Sequence, residues 1–190
     1  MTEPHAGAAA PEPVTPDTQD WTWVLERPCA ACGFDPAEVV PTSVPRIIVE
    51  ASDRFALALE KADAGVRTTP GVWSTVEYGQ HVADVLEVMT DRLRLILDGD
   101  HEGHEGAGAS FDAWDQDAAA VEKEYWRANT HVTAILIKER AAAAAEAWGE
   151  PDADQWTWSG RRSDGVEFTA ESLGRYLVHE LLHHLHDVDA

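Results

Sequence analysis

The sequence predicts an all-α protein built as a four-helix bundle, and three observations support this fold class. Apolar residues recur with the 3.6-residue period of an α-helix in four separate segments. Two of these segments open with N-terminal helix signals, at Ser74 and at Thr169. No segment alternates convincingly between apolar and polar residues, as a half-buried strand would. Four amphipathic helices in a chain of 190 residues are typical of a bundle around one core.

The chain before the first helix divides into two segments. Residues 1–20 are rich in proline, alanine, glycine and acidic residues, so they are predicted to form a disordered tail. Residues 21–36 are predicted to be an irregular segment, and the bundle is predicted to span residues 37–188. Prolines interrupt the start of the first helix, which is therefore predicted to become regular near Val44 and to continue to about Leu59.

The second helix has the clearest beginning in the sequence. Ser74 is a favoured N-cap residue, and Glu77 lies three positions later, as a capping box requires. Trp73 and Tyr78 are spaced to form a hydrophobic staple across this cap. The apolar periodicity then continues to about Leu97, which predicts a helix of more than five turns.

The remaining two helices are separated from their neighbours by long connections. Residues 98–110 are polar and rich in glycine and are predicted to form a loop. A single third helix is predicted from about Asp117 to just before Gly149. The fourth helix begins at Thr169, after a polar segment at residues 156–169 that is long enough to cover one end of the bundle.

The charge of the chain restricts its partners. Lysine and arginine number 14 against 35 aspartates and glutamates, which gives a net charge of −21. Such a surface repels phosphate backbones and anionic lipids, so neither nucleic acid nor membrane is an expected partner. The sequence also lacks an apolar stretch of spanning length and a recognisable signal peptide. A cytoplasmic monomer or homodimer that acts on a small-molecule substrate is therefore expected.

The fourth helix carries the strongest chemical signal, the stretch YLVHELLHHLHDV at residues 176–188. His179 and His183 are four residues apart, so they lie on one helix face about 6 Å apart along the axis and can share a metal ion. His184 points to another face and is predicted to lie outside the site. His186 returns to the first face but is too far from His179 for both to bind one ion.

A third ligand is available on the second helix. His81 is the only histidine there, and it lies on the apolar face of that helix. A buried core histidine is the alternative interpretation when His81 is considered alone. Catalytic zinc sites use three protein ligands and leave one position open, so His81, His179 and His183 together are predicted to form a site of this kind.

Two stretches in this order resemble the DinB and YfiT-like superfamily: GVWSTVEYGQHVADVLEVM at residues 71–89 and YLVHELLHHLHDV. The resemblance covers residues 37–188. It implies a DinB-like four-helix bundle with long crossover connections. It also implies that one divalent metal, zinc or nickel, is bound by His81, His179 and His183.

The resemblance also implies an activity. Many members of this superfamily are metal-dependent transferases or isomerases that use low-molecular-weight thiols such as mycothiol or bacillithiol. A metal with an open position lowers the pKa of a bound thiol, which can then attack a small electrophile. The expected function is therefore thiol-S-transferase chemistry, and the rival is a metal-stabilised binding or stress-response protein without turnover. Few lysines and abundant alanine suit a high-GC bacterium, in which the thiol would be mycothiol. The segment WTWVLERPCAACGFD resembles a feature of an actinobacterial-type subgroup.

The segment before the bundle contains the only cysteines of the chain, Cys29 and Cys32. A zinc ribbon would need a second cysteine pair, which the sequence lacks. Three interpretations stay open at this point. The pair is a structural turn, a redox pair, or a thiol site near the histidines that supplies ligands or a nucleophile.

Further side chains are candidates for the surroundings of the site. Glu180 and Asp187 flank the histidines and can accept hydrogen bonds from imidazole N–H groups. Asp115 either caps the third helix or lies at the pocket rim, and Arg162 binds a substrate carboxylate or pairs with surface acids. The complete set of these candidates is His186, Glu180, Asp187, Glu77, Trp114, Asp115 and Arg162.

Overall fold

The computed structural model describes residues 11–16, 19–99 and 108–190. Four long helices in these ranges form the predicted bundle, in which the last two, Thr130–Ala147 and Ala170–Asp187, each pack against both of the first two, Val44–Ala58 and Thr75–Asp98. None of the described helices has both the length and the apolar character needed to cross a membrane. The helices are α1 (Val44–Ala58), α2 (Thr75–Asp98), α3 (Gln116–Glu122), α4 (Thr130–Ala147) and α5 (Ala170–Asp187), and the strands are β1 (Ala109–Phe111), β2 (Ser159–Arg162) and β3 (Glu167–Thr169).

The predicted tail and the glycine-rich loop lie partly outside the described residues. Of the tail, residues 11–16 run along the segment before α2. Thr15 N donates to Gly71 O at 3.0 Å, and Arg67 Nη1 donates to Glu12 O at 2.6 Å. The division of the chain at residues 20 and 36 stays a prediction.

The capping box that begins α2 is confirmed, and α5 begins directly after Thr169, close to its predicted start. Glu77 Oε2 accepts hydrogen bonds from Ser74 N at 2.9 Å and from Ser74 Oγ at 2.7 Å. The Trp73 and Tyr78 rings meet edge to face, with centroids 5.4 Å apart. At α5, Ser172 N donates to Thr169 Oγ1 at 3.0 Å. These contacts are local in sequence, so residue spacing was sufficient to predict them.

The prediction of a single third helix is wrong, because the structure divides this stretch into α3 and α4. Glu124 adopts a left-handed backbone with φ of 50°, and a 3₁₀ turn follows at Tyr125–Arg127. Asn129 then caps α4 by accepting a hydrogen bond from Val132 N at 3.1 Å. The break has a packing reason, because it turns the buried Tyr125 towards α2, where its hydroxyl donates to Asp84.

The expectation of a purely helical chain is also corrected, because a small three-stranded sheet lies beside α2. Strand β2 pairs in parallel with β1 and antiparallel with β3. Each strand has three or four residues, too few for alternation to be visible in the sequence. Gly160 lies at the centre, where an added Cβ would be 2.8 Å from Phe111 and 2.9 Å from Ile96. The sheet therefore packs directly on the last turns of α2.

The buried carboxylate of Asp84 links α2 to the end of α3, to the following 3₁₀ turn and to α4. It accepts hydrogen bonds from Lys123 Nζ at 2.7 Å, from the Tyr125 hydroxyl, and from Arg140 Nη1 of α4 at 2.6 Å. Burial alone would raise the pKa of Asp84, but the bonds from Lys123, Tyr125 and Arg140 outweigh it and lower the pKa below its ordinary value. The ionised carboxylate therefore stabilises the folded state.

Asp84→Asn is expected to lower the free energy of unfolding by about 2 kcal/mol at neutral pH, because it removes charge-assisted hydrogen bonds from a buried site. The folded-state pKa of Asp84 is depressed, so its contribution is present above the unfolded pKa of about 3.9 and is lost as pH falls through the folded pKa. Denaturant unfolding of both proteins between pH 7 and pH 3 checks this. A stability difference that stays constant down to pH 3 would contradict it.

Candidate metal centre

Helix α5 presents two pairs of possible ligands on adjacent faces. His179 and His183 form one pair with four-residue spacing, and Glu180 and His184 form the other. Successive residues on an α-helix are rotated by about 100°, so the two pairs point in different directions. Each pair meets a different partner, and the part of the chain that the structure describes therefore contains two separate clusters of potential metal ligands.

The first cluster joins His81 of α2 to Glu180 and His184 of α5. One ligand atom from each of these residues lies within 4.8 Å of the other two. His81 Nε2 is 3.7 Å from Glu180 Oε2, and His184 Nε2 is 3.5 Å from the same oxygen. These separations are too long for good hydrogen bonds but suit donors that surround one ion.

Neighbouring side chains hold both imidazoles of this cluster in place. His184 Nδ1 is 2.9 Å from Asp187 Oδ2, which leaves Nε2 directed towards Glu180. Trp114 stacks on His81 with ring centroids 5.4 Å apart and an interplanar angle of 9°. A carboxylate behind a ligating imidazole is a common support of metal sites, because it fixes the ring and raises its basicity.

The electrostatics of the first cluster favour a cation. Burial lowers the pKa of His81, so its imidazole is neutral, and both of its ring nitrogens are buried without a hydrogen-bond partner among the described residues. Burial also opposes ionisation of Glu180, but His184 and His81 outweigh it and lower its pKa. Burial lowers the pKa of His184, whereas Asp187 and Glu180 raise it to about 9 overall. A divalent ion fits this donor set, because it would displace the proton of His184 on binding and would satisfy one nitrogen of His81.

The first cluster borders open space on one side. A cavity of about 460 Å³ is lined by Glu180 and His184 together with the aromatic rings of Trp73, Tyr78 and Tyr176. A second cavity of about 340 Å³ is lined by Trp114, Arg162, Tyr176 and again Glu180. Cavities of this size are typical of small-molecule sites. A ligand in either cavity would reach the carboxylate of Glu180.

The second cluster joins the other face of α5 to the segment before the bundle. Cys29, Cys32, His179 and His183 each place one ligand atom within 4.8 Å of the other three. Burial lowers the pKa of His179 to about 4 and also lowers that of His183, so both imidazoles are neutral. Burial raises the pKa of the Cys32 thiol to about 11, unlike thiols activated for nucleophilic attack.

Comparisons with known proteins agree with this architecture. The sequence matches the model of the DinB superfamily over residues 49–188. The chain belongs to the DinB superfamily. YfiT from Bacillus subtilis, described as a probable metal-dependent hydrolase with an unusual four-helix bundle topology, is similar in structure, with a TM-score of 0.66 and 19% identity over 80% of this chain and 89% of YfiT. This likeness shows a shared fold. Comparison with the curated proteins found no match.

The DinB fold is therefore as predicted, but the predicted ligand triad is divided between the two clusters. The structure brings His179 and His183 together, as their spacing required, and places His81 with Glu180 and His184 instead. His184, which is predicted to lie outside the site, lies beside His81 and Glu180. The stretch His-Glu-Leu-Leu-His-His contains two overlapping four-residue spacings, and the Glu180–His184 spacing was the signal that could have identified this pair.

The structure gives the other candidate residues mainly structural contacts. Asp115 caps α3 by accepting a hydrogen bond from Ala118 N at 2.9 Å. Arg162 pairs with Asp164 at 2.8 Å. His186 is exposed near the end of α5.

Glu77 is held by its own contacts away from both clusters. It bonds to Arg67 and to the Ser74 cap. Burial raises its pKa, but the Arg67 guanidinium and the Ser74 donors outweigh this effect and lower the pKa overall. Its role in capping and ion pairing accounts for its burial.

Proposed function

We propose that this member of the DinB superfamily is a metal-dependent enzyme whose catalytic metal is bound by His81, Glu180 and His184. The observation that carries this proposal is the convergence of three donors from α2 and α5 beside a cavity. Two histidines and one glutamate are a ligand set of catalytic zinc sites, in which a fourth position stays open for water or substrate. Neutral His81 and ionised Glu180 are already in the ligating form.

A divalent metal at this position supplies Lewis acidity, which lowers the pKa of a thiol or a water molecule that binds it. The chain supplies orientation and exclusion of solvent. Asp187 fixes the His184 ring, and Trp114 restricts the His81 ring by stacking. Trp73, Tyr78 and Tyr176 line the cavity, so a substrate that fills it displaces water from the reaction site.

The nucleophile that we propose is a low-molecular-weight thiol, with mycothiol or bacillithiol as the natural candidates and zinc or nickel as the metal. The motifs around His81 and around the fourth-helix histidines support this choice through their resemblance to thiol-dependent relatives. The two cavities that meet at Glu180 offer room for a thiol and for an electrophile beside the same metal. The reaction would then be thiol-S-transfer to a small electrophile.

Hydrolysis is the second candidate function. The donor set supports it, because two histidines and one glutamate hold the metal of several hydrolytic zinc enzymes. YfiT, which shares the fold, is itself described as a probable metal-dependent hydrolase. Water would replace the thiol as the nucleophile, and the same three ligands would serve both reactions.

Cobalt substitution with two parallel assays separates these functions. Cobalt-loaded Cys29→Ser/Cys32→Ser protein, which lacks internal thiols, is titrated with mycothiol and with bacillithiol to record the spectrum, and turnover is assayed with the wild-type chain, which keeps both cysteines. A sulfur-to-cobalt charge-transfer band and thiol consumption with an added electrophile would support transfer. Cleavage of an ester or amide panel without thiol would support hydrolysis.

Two single variants complete this test. His81→Ala should abolish either activity, whereas His131→Ala, at an exposed position on α4, should leave it unchanged. A protein that binds cobalt through His81 but shows neither turnover nor a thiol-dependent band would instead be a metal-stabilised binding protein.

A further inference from the structure

The two cysteines lie on a tight turn that brings their thiols to one side. Cys29 N donates to Phe34 O at 2.8 Å, and Gly33 N donates to Cys29 O at 2.9 Å. Gly33 has a φ of +76°, a left-handed conformation that favours glycine. Both cysteines are free thiols. A turn with this Cys-x-x-Cys-Gly pattern can present two sulfurs to one ion.

The turn packs against the face of α5 that carries His179 and His183. Cys29 Sγ is 3.7 Å from His183 Nδ1, and the four ligand atoms all lie within 4.8 Å of one another. Tetrahedral zinc, with bonds of about 2.3 Å to sulfur and about 2.0 Å to nitrogen, separates its ligand atoms by about 3.3 to 3.8 Å. The arrangement therefore needs only small side-chain adjustments to surround one ion.

A buried polar group in this cluster is left without a partner. His179 is almost fully buried, and neither of its ring nitrogens has a hydrogen-bond partner among the described residues. Phe34 meets the His179 ring edge to face, with centroids 5.3 Å apart. An unsatisfied buried imidazole costs free energy unless a ligand or an ion satisfies it.

We infer that Cys29, Cys32, His179 and His183 bind a second metal ion, a structural zinc, separate from the catalytic metal. Two thiolates and two imidazoles in a tetrahedral arrangement are the donor set that selects zinc. Four protein ligands fill a tetrahedral coordination shell, whereas the cluster at His81 has three donors and leaves a position open, although both clusters border the larger cavity. The same helix thus holds a closed site on one face and an open site on the next.

The structural zinc fastens the segment before the bundle to the wall of the active-site cavity. Trp21 of this segment lies against His179 and His183, with ring centroids 5.3 and 4.8 Å apart. Trp21 also lines both cavities that meet at Glu180. Loss of the zinc would therefore release Trp21 and open the cavity, although the ligands of the catalytic metal would all remain.

A measurement of zinc release tests this inference. The wild-type chain is purified without a histidine tag and is treated with a thiol-specific mercurial. A mercurial displaces zinc from thiolates but does not attack a site made of histidine and glutamate. We expect release of about one zinc per chain, measured with a colorimetric chelator, and the same release from His81→Ala. No release from the wild type, or a disulfide between Cys29 and Cys32 in the freshly purified protein, would overturn the inference.

A cobalt spectrum provides the second measurement and needs only a mild variant. The sulfur-to-cobalt charge-transfer band should persist in His81→Ala and fall to about half in Cys32→Ser, because one of two sulfur ligands is lost at a half-buried position. An unchanged band in Cys32→Ser would overturn the inference. The metal content of His81→Ala tests the catalytic site alone, because the charge-transfer band reports only the cysteine site. The assignments of the two sites can therefore fail independently.

Discussion

His184→Ala is expected to lower the affinity of the catalytic site for zinc by at least about 100-fold. Removal of a ligand should exceed the 10- to 100-fold loss that is typical when only a supporting residue is changed. His184 Nε2 faces Glu180, and Asp187 holds the ring from behind, so alanine removes both a donor and its orientation. Competition with a chromophoric chelator, in a Cys29→Ser/Cys32→Ser background that isolates this site, measures the change.

His186→Ala is the matched control for this variant. His186 lies two residues further along α5 and is exposed, so its removal should change the affinity less than about two-fold. Asp187→Asn should fall between the two variants, because it weakens the support of His184 but leaves the ligand in place. Equal affinities for His184→Ala and the parent protein would refute the assignment of this ligand.

Removal of zinc by a strong chelator at pH 7 is expected to lower the free energy of unfolding of the wild type by about 4 kcal/mol or more. An ion that binds only the folded state stabilises it by this amount when present at about 1,000 times its Kd. Much of the loss should come from the four-ligand site, because Cys29 and the α5 histidines are far apart in sequence and the ion joins them.

Amide hydrogen exchange shows which residues the bound zinc stabilises. Chelation should remove the protection of the Cys29 and Gly33 amides, which are hydrogen-bonded in the turn, and leave the centre of α2 protected. Cys29→Ser/Cys32→Ser protein should be less stable from the start and should lose much less on chelation. Unchanged protection of the turn after complete removal of zinc would count against a structural ion.

The parts of the fold that the sequence predicted correctly are determined by local interactions. Ser74 and Glu77 contact each other across a single helical turn, so their spacing was enough to locate the start of α2. The break between α3 and α4 depends instead on Tyr125 reaching Asp84, which is 41 residues earlier in the chain. The strands are too short for a periodic signal, and tertiary packing on α2 stabilises them.

The candidate site illustrates the same limit. Spacing alone predicted metal ligands on α5, because histidines four residues apart share a face. It could not choose between the His179–His183 pair and the Glu180–His184 pair, which differ only by one residue. The choice depends on which face of α5 meets His81 and which meets the cysteine turn, and both contacts join residues nearly 100 or more positions apart.

Anomalous diffraction at the zinc absorption edge tests most directly whether α5 carries two separate metal sites. The crystals are grown from the chain purified with its metals. We expect two peaks, one bound by His81, Glu180 and His184 and the other by Cys29, Cys32, His179 and His183. A single peak bound jointly by His81, His179 and His183 would contradict this account and restore the triad that the sequence motif predicts.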